Sequence, residues 1–268
     1  MTLRPFSAKD LPAFLARSED EGWLCDRWEF DFLRGAFPGG CFTLEEEGAA
    51  VAFVTSIRYG TSGWIGNLLV DRARRGRGCG TLLMHRTVEA LAAAGVKTTW
   101  LTASSSGRPL YERMGFREAD RVVRWVGTGR GGTGGGGPVR PAAMEAFDRA
   151  GWGDDRRTLL AAVAARGTVV LRPEGFLVVQ PFGDGFQVGP WGCSAGDGAA
   201  ELLDEARAVA GAGTRLFLDV PAGNGAVTAL LGAAGFVASG ETALMYAGAE
   251  PAYVPSRVGA LASMGSMG

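Results

Sequence analysis

Lysine is almost missing from this chain of 268 residues: Lys9 and Lys97 are the only two among 27 basic residues, so nearly every cation is a guanidinium. Guanidinium groups suit forked contacts to phosphate, although a GC-biased genome produces the same excess. Histidine occurs once, at His85, within a helical apolar pattern beside Met84 and Val88. Any Ser-His-Asp arrangement would have to use it, and a partly buried structural residue is the expectation there. Four cysteines, Cys25, Cys41, Cys79 and Cys193, form no CxxC pair and no zinc spacing, which points to a reducing cytoplasm and to no metal site. Long apolar runs are absent too. The longest uncharged stretch, Pro221 to Gly240, is broken by four glycines before Val237 and carries Asn224, so it reads as a helix plus a strand and spans no membrane. The opening MTLRPFSAKD lacks the apolar core of a signal peptide. A net charge of -1 and a pI near 6.0 supply no surplus field for nucleic acid or anionic membrane.

What is present is a composition of 47% hydrophobic and 21% charged residues, that of a soluble globular chain long enough for two domains of about 100 to 150 residues. Glycine at the density of GTGRGGTGGGGP (Gly127 to Pro138) has a large unfolded entropy and no side chains to pack. It divides the chain into residues 1–127, a linker over 128–139, and residues 140–268. In the first part the patterning predicts strands at Leu3 to Pro5, Cys41 to Glu45, Val51 to Tyr59, Trp64 to Val70, Thr98 to Ala103 and Phe116 to Trp125. It predicts helices within Asp10 to Glu21, Arg27 to Gly35, Thr81 to Gly95 and Gly107 to Met114. The second part repeats that order. Helices are expected near Pro141 to Ala150, Arg156 to Arg166, Asp197 to Gly211 and Ala226 to Ala234. Strands are expected at Thr168 to Leu171, Phe176 to Pro181, Phe186 to Val188 and Arg215 to Val220, with a closing strand pair over Gly235 to Tyr246. MGFREADRVVRW is echoed by AGFVASGETALMY, the sign of an internal duplication.

Where the Trp64 to Val70 strand becomes the Thr81 to Gly95 helix, the chain reads RRGRGCG (Arg74 to Gly80). The first amides of a helix lack intrahelical partners and lie at the positive end of its dipole, so they favour an anion. Gly76, Gly78 and Gly80 let the backbone turn and approach a ligand closely, and Arg75 and Arg77 can fork onto phosphate oxygens. A flexible arginine-rich turn with no ligand is the other reading of these residues taken alone. No GK[ST] follows, which excludes a Walker loop. GxGxxG is absent and Thr102 to Ser106 offers no acidic residue, which excludes the dinucleotide fingerprint. A shorter pyrophosphate cradle remains.

RGRGCG (Arg75 to Gly80), the apolar strand end Leu68, Leu69 and Val70 before it, and LYERMGF (Leu110 to Phe116) after it together resemble the acetyl-CoA-binding region of the GNAT superfamily of N-acetyltransferases. GWIGNLLV, GRPLYERMGF and the second half of the chain resemble a subgroup with a second, degenerate GNAT-like domain. FDRAGWGDDRRTLL (Phe147 to Leu160), QVGPWG (Gln187 to Gly192) and LDVP (Leu218 to Pro221) are the segments of that half that carry the likeness. The resemblance implies an α/β (α+β) fold of two tandem domains, each a mixed, mostly antiparallel twisted sheet flanked by helices. It also implies acetyl-CoA as cosubstrate and direct transfer of the acetyl group to a primary amine.

Carried over residue by residue, the resemblance implies coenzyme contacts at Leu68, Leu69, Val70, Arg75, Gly76, Arg77, Gly78, Cys79, Gly80, Thr81, Ser104, Gly107 and Tyr111. Tyr111 is then the general acid that protonates the departing thiolate, and backbone groups where the Trp64 to Val70 strand splays from Thr98 to Ala103 polarise the carbonyl. Ser104 stands where many relatives carry asparagine. Cys79 reads as a small filler residue. For the amine's proton acceptor the carboxylates Glu29, Asp31 and Asp71 stay open beside a water relay, with solvated surface positions as the other reading. Trp23 is either a pocket wall or a core residue.

In the second half GPWGCSAGDGAAELL (Gly189 to Leu203) carries no arginine, Asp197 begins the helix, and Leu231 takes the place of Tyr111. One coenzyme site per chain is expected, with the second domain completing the acceptor pocket, forming a homodimer or stabilising the first. The function so implied is a cytoplasmic acetyl-CoA-dependent N-acetyltransferase of a small-molecule amine, with no nucleic-acid or membrane partner. The alternatives are another acyl-CoA, a protein amine, or a non-catalytic acyl-CoA sensor.

Overall fold

The computed structural model describes all residues except 133, 135, 137, 138 and 195–197. By packing the chain forms two units, residues 1–101 with 265–267, and residues 102–264 with Gly268.

In the first unit the strands β1 (Thr2–Pro5), β2 (Phe42–Glu46), β3 (Ala49–Arg58), β4 (Ser62–Val70) and β5 (Thr98–Ala103) lie in that order. Neighbours are antiparallel except β4 and β5. Three helices cover this sheet: α1 (Leu11–Asp20), α2 (Arg27–Ala36) and α3 (Cys79–Ala93). Asp26 starts α2 by accepting from the Trp28 amide at 2.9 Å, which satisfies one of the amides a helix start leaves open. Apolar residues at helical spacing face the sheet. Phe14 packs on Phe30 (centroids 4.5 Å) and on Phe53 (5.6 Å), and burial of each such ring contributes about 1.5–3 kcal/mol.

β4 is irregular in two places. Its parallel ladder with β5 runs over Ser62↔Thr98, Gly63↔Thr99 and Trp64↔Trp100 and stops there, so the two strands diverge over the remaining length of β4. Its register with β3 shifts between Phe53↔Leu69 and Thr55↔Gly66, leaving one extra residue in β4. Asn67 takes the strain at φ 54°, a left-handed conformation that asparagine tolerates better than most residues. Its side chain donates to Thr55 Oγ1 at 2.9 Å.

The second unit holds α4 (Arg108–Arg113) and β6 (Arg117–Thr128), then α5 (Pro141–Trp152) and α6 (Arg157–Arg166). It continues through β7 (Thr168–Arg172), β8 (Gly175–Phe182), β9 (Gly185–Cys193), α7 (Ala199–Ala210), β10 (Arg215–Pro221), α8 (Gly225–Ala233), β11 (Val237–Gly248) and β12 (Val258–Ala260). Its strand order is β11-β6-β10-β9-β8-β7, with β12 on β9; β9 and β10 are parallel. β6 is antiparallel to both of its neighbours, β10 and β11. By packing, the boundary between the units lies after Leu101, within β5, upstream of the glycine-rich segment that precedes α5. Two of that segment's residues are docked: the Gly129 amide donates to Thr214 O at 2.8 Å and the Arg130 amide to Arg207 O at 2.9 Å. A Cβ on Gly129 would meet Gly211 O at 2.1 Å, so close backbone approach requires glycine there.

The family-like segments of this unit are structural anchors. Arg156 and Asp148 form a buried two-pronged ion pair (3.0 and 2.5 Å) that ties α6 to α5, with the guanidinium over the Trp152 ring. Asp219 of LDVP, fully buried, accepts two bonds from Arg124 (2.7 and 2.8 Å), one from Gln187 Nε2 (3.1 Å) and one from the Met264 amide (3.0 Å). Charge-assisted forks of this kind fix geometry as well as energy. The duplication is visible in backbone detail. The Phe116 amide bonds to Tyr111 O and the Phe236 amide to Leu231 O, both at 3.0 Å, with Gly115 and Gly235 at φ 85° and 81°.

Three elements differ from expectation. The closing strand pair is one strand, β11, because the Ser239–Gly240 step is absorbed as a bulge against β6 and not used as a turn. β9 runs five residues beyond Val188, through the cis Gly189-Pro190 bond. β12 and the segment after it have no periodic signal in the sequence to announce them.

Candidate active site

The turn from β4 into α3 is built by local bonds. Asp71 accepts from the Ala73 amide at 2.9 Å and pairs with Arg17 at 3.2 Å, and Arg74 pairs with Glu46. The Ala73 bond and the Arg17 guanidinium outweigh partial burial and hold the Asp71 carboxyl below the usual range. Gly76 and Gly78 then take φ 75° and 81°, and a Cβ on either would meet nothing within 4 Å. Glycine is thus required by backbone angle while the space in front stays open. Gly78 is the residue before α3; no side chain caps it and no acidic residue stands in the first turn. The first amides of α3, at Cys79, Gly80 and Thr81, therefore begin a helix of fifteen residues whose positive end faces solvent. Arg77 is exposed and Cys79 is buried, its Sγ 3.8 Å from Met1 Sδ, in keeping with a filler residue.

Arg75 is not free to act alone. Its guanidinium lies 2.8 Å from Glu21 and donates to Val70 O at 3.1 Å, while Arg72 reaches the same Glu21 oxygen at 2.8 Å. The bonds from Arg72 and Arg75 hold the Glu21 carboxyl below the usual carboxylate range. Glu21, Arg75, Asp71, Leu69 and Val70 border an open pocket of about 110 Å³ at the end of β4. Leu68, Leu69 and Val70 thus lie beside the glycine turn in the first unit, where β4 has left β5.

Ser104, Gly107 and Tyr111 form a second group, in the second unit. The Ser104 hydroxyl accepts from the Gly107 amide at 3.2 Å and lies 3.1 Å from Ser106 Oγ, so it is engaged in starting α4. A Cβ on Gly107 would come within 3.1 Å of the Tyr111 ring, which explains glycine there. Tyr111 is buried against Phe116 (centroids 6.0 Å), and that burial pushes its phenol up to about 12. Such a phenol keeps its proton at neutral pH.

The remaining candidates separate cleanly. His85 is exposed on α3, contrary to the expected partial burial, because Leu83, Met84, Thr87 and Leu91 form the sheet-facing side. Trp23 is 41% exposed and so is not a core residue. Asp31 is on the surface between Arg27 and Arg34. Glu29 is 5% exposed and accepts from Ser266 Oγ at 2.7 Å. Sequence reasoning missed Glu21 and the segment 265–267; neither belongs to a local pattern.

At the corresponding start of α7, Gly198 has a positive φ of 96°, as Gly78 has at 81°. There the space is filled: a Cβ would lie 2.6 to 3.3 Å from the Glu174 side chain, and Glu201 stands in the first turn. Asp197, the residue expected to repel an anion, lies outside the described residues. Leu231, at the place of Tyr111, is fully buried. Among the described residues no group of His, Cys, Asp and Glu could hold a metal ion, and no helix is long and apolar enough to cross a membrane.

Comparison with known proteins fits this double architecture. Residues 38–118 match one acetyltransferase (GNAT) domain model and residues 144–257 match another. The chain belongs to the GNAT N-acetyltransferase superfamily, as two GNAT domains in tandem. An uncharacterized N-acetyltransferase of Methanocaldococcus jannaschii is 30% identical over 114 residues, which is 37% of this chain and 49% of that protein, so the match spans about half of the relative's length. A candidate acetyltransferase from Pyrococcus horikoshii superposes with a TM-score of 0.85 over 100% of this chain and 95% of that one, at 21% identity. A GCN5-related N-acetyltransferase from Sphaerobacter thermophilus gives 0.65 over 95% and 98%, at 16% identity. At these identities the two structures speak for the fold.

Proposed function

We propose that the protein transfers an acetyl group from acetyl-CoA directly to a primary amine of a small molecule. The observation that carries this reading is the uncapped, glycine-led start of α3 beside the diverging end of β4. The amides of Cys79, Gly80 and Thr81, with Gly76, Gly78 and Arg77 around them, would receive the diphosphate. Arg75 would join by exchanging Glu21 for a phosphate oxygen. Backbone groups of Leu68, Leu69 and Val70, released from pairing with β5, would take the pantetheine amides and polarise the thioester carbonyl. The neutral amine attacks that carbon, the C–S bond breaks, and the thiolate leaves. Tyr111 would supply the thiolate's proton, and Ser104 and Gly107 would fix the turn that carries Tyr111.

Membership of the family and the acidic, filled start of α7 support a single coenzyme site per chain, formed by the first repeat, with the second repeat degenerate. The low net charge supports a small-molecule acceptor over a nucleic-acid-bound one. The test is a thiol-release assay with acetyl-CoA against a panel of primary amines, alongside calorimetric titration of acetyl-CoA. Binding with release for at least one amine is expected. Failure of the full chain to bind acetyl-CoA overturns the reading, and binding without release for any amine favours a sensor.

A further inference from the structure

The register shift of β4 leaves two of its residues, Asn67 and Leu68, opposite Val54 of β3. At such a bulge the ladder no longer fixes every peptide plane, and other bonds must do so. The Gly66–Asn67 peptide is held at both ends. Its oxygen, Gly66 O, accepts from the Thr55 hydroxyl at 3.3 Å, and its nitrogen, the Asn67 amide, donates to Gly265 O at 3.3 Å. The Asn67 side chain returns to the same Thr55 hydroxyl, donating to its oxygen at 2.9 Å. Thr55 and Asn67 are both buried. Gly265 reaches the bulge by close approach of backbone to backbone: a Cβ on Gly66 would lie 2.3 Å from Gly265 O and 2.8 Å from Ser266 Cα. The residues after Gly265 are fixed in turn. Ser266 donates to Glu29 Oε2 at 2.7 Å, and the Tyr59 hydroxyl donates to Met267 O. Residues 265–267 thus pack with the first unit as a clasp on the bulge of β4.

Resting on the acetyl-transfer reading, we propose that Asn67 is a positioning residue, locked by Thr55 and by the Gly265 carbonyl so that the Leu68 amide and its neighbours aim at the thioester carbonyl. A φ of 54° lies in a small allowed region for a residue with a side chain, and it persists where surrounding bonds over-determine it. Here three bonds do. With the Gly66–Asn67 plane fixed and the Asn67 side chain tied to Thr55, rotation at Asn67 is blocked. The next peptide, which carries the Leu68 N–H, is left with one direction. Stabilisation of a developing oxyanion depends on donors aimed before the reaction begins, and a misplacement of about 1 Å costs about 100-fold in rate. Thr55, Asn67 and Gly265 act through Leu68 and not by touching the coenzyme, so their loss should appear in kcat and not in coenzyme affinity. The lock also gives residues 265–267 a task in the first unit.

The test uses the full chain, an amine that the wild type acetylates, and acetyl-CoA carrying a heavy carbon isotope at the thioester carbonyl. A carbonyl that accepts hydrogen bonds stretches at lower frequency, so difference infrared spectra of the bound coenzyme read the aim of the bulge with no acceptor present. The wild-type band should lie below that of free acetyl-CoA. Thr55→Val removes the hydroxyl, and Gly66→Ala pushes Gly265 off the strand. Each should lower kcat about 10- to 100-fold, leave the KM and the calorimetric Kd for acetyl-CoA unchanged, and move the band back toward the free position. Thr55→Ser should keep both the rate and the band. A wild-type kcat in Thr55→Val or Gly66→Ala overturns the proposal, and so does a lowered kcat with the band unmoved. Should either variant not fold, Asn67→Gly, which keeps the left-handed φ accessible and drops the bond to Thr55, decides it by the same two readings. Failure of the wild type to bind acetyl-CoA, or a wild-type band at the free position, counts against the acetyl-transfer reading itself, and the proposal falls with it. A lowered band that survives in every variant counts against the lock alone.

Discussion

The carboxylate of Glu21 bridges Arg72 and Arg75, 2.8 Å from each, so Arg75 of the glycine turn is held by an acidic residue. Glu21→Gln should free Arg75 and remove a repulsive charge. Because both guanidinium groups are well exposed, the gain is limited to about 1 kcal/mol, or up to about fivefold tighter acetyl-CoA binding in a calorimetric titration at low salt. The difference should shrink as salt is raised. Weaker binding would mean that Glu21 preorganises Arg75 and does not compete for it.

Tyr111→Phe should lower kcat about 100-fold with little change in the KM for acetyl-CoA, since the phenol acts as the thiolate departs. The pH dependence has a definite sign. Burial holds the folded-state phenol at about 12, above its unfolded value. The stability it contributes is fully present below about pH 10 and is lost as pH rises through the folded value. Thermal melts of Tyr111→Phe should therefore lose less stability than wild type at strongly alkaline pH, and wild-type turnover should show no fall from Tyr111 ionisation below about pH 10.

Titration of the intact chain with acetyl-CoA should reach saturation at one equivalent. At the start of α7, Glu174 and Glu201 occupy the place where the start of α3 is open. A stoichiometry of two would show that these carboxylates move aside.

Asp219→Asn should destabilise the fold by about 3–5 kcal/mol, because Arg124 would keep its charge in a largely buried site without its two-pronged partner. Calorimetric melting should fall by roughly 10 °C. The same substitution weakens the hold on the Met264 amide, so hydrogen exchange over residues 261–268 should quicken.

Much of the fold was legible in the sequence because the signals are local. The helical period of residues 81–95, the β-branched run TTWLTA and the glycines that must adopt positive φ each report on a few neighbouring residues. The duplication could be read because Gly115 and Gly235 make the same helix-ending turn before Phe116 and Phe236. Other features rest on contacts between distant residues. Ser266 and Glu29 are 237 positions apart and Met267 and Tyr59 are 208 apart, and LASMGSMG has no period or motif to announce such partners. The Arg75–Glu21 pair is hidden for the same reason: nothing in RRGRGCG reports on the end of α1. Ser239–Gly240 misled in the opposite sense. It has turn composition, yet pairing with β6 keeps the strand continuous through a bulge.

Because β6 is flanked by β10 and β11, the last strand encoded by the first repeat finds both of its partners among residues encoded by the second. A gene cut back to the ancestral single copy would leave that strand with two raw edges, an invitation to aggregate. The shared strand therefore binds the fate of the two copies together, a constraint that acts on the second repeat whatever chemistry it performs.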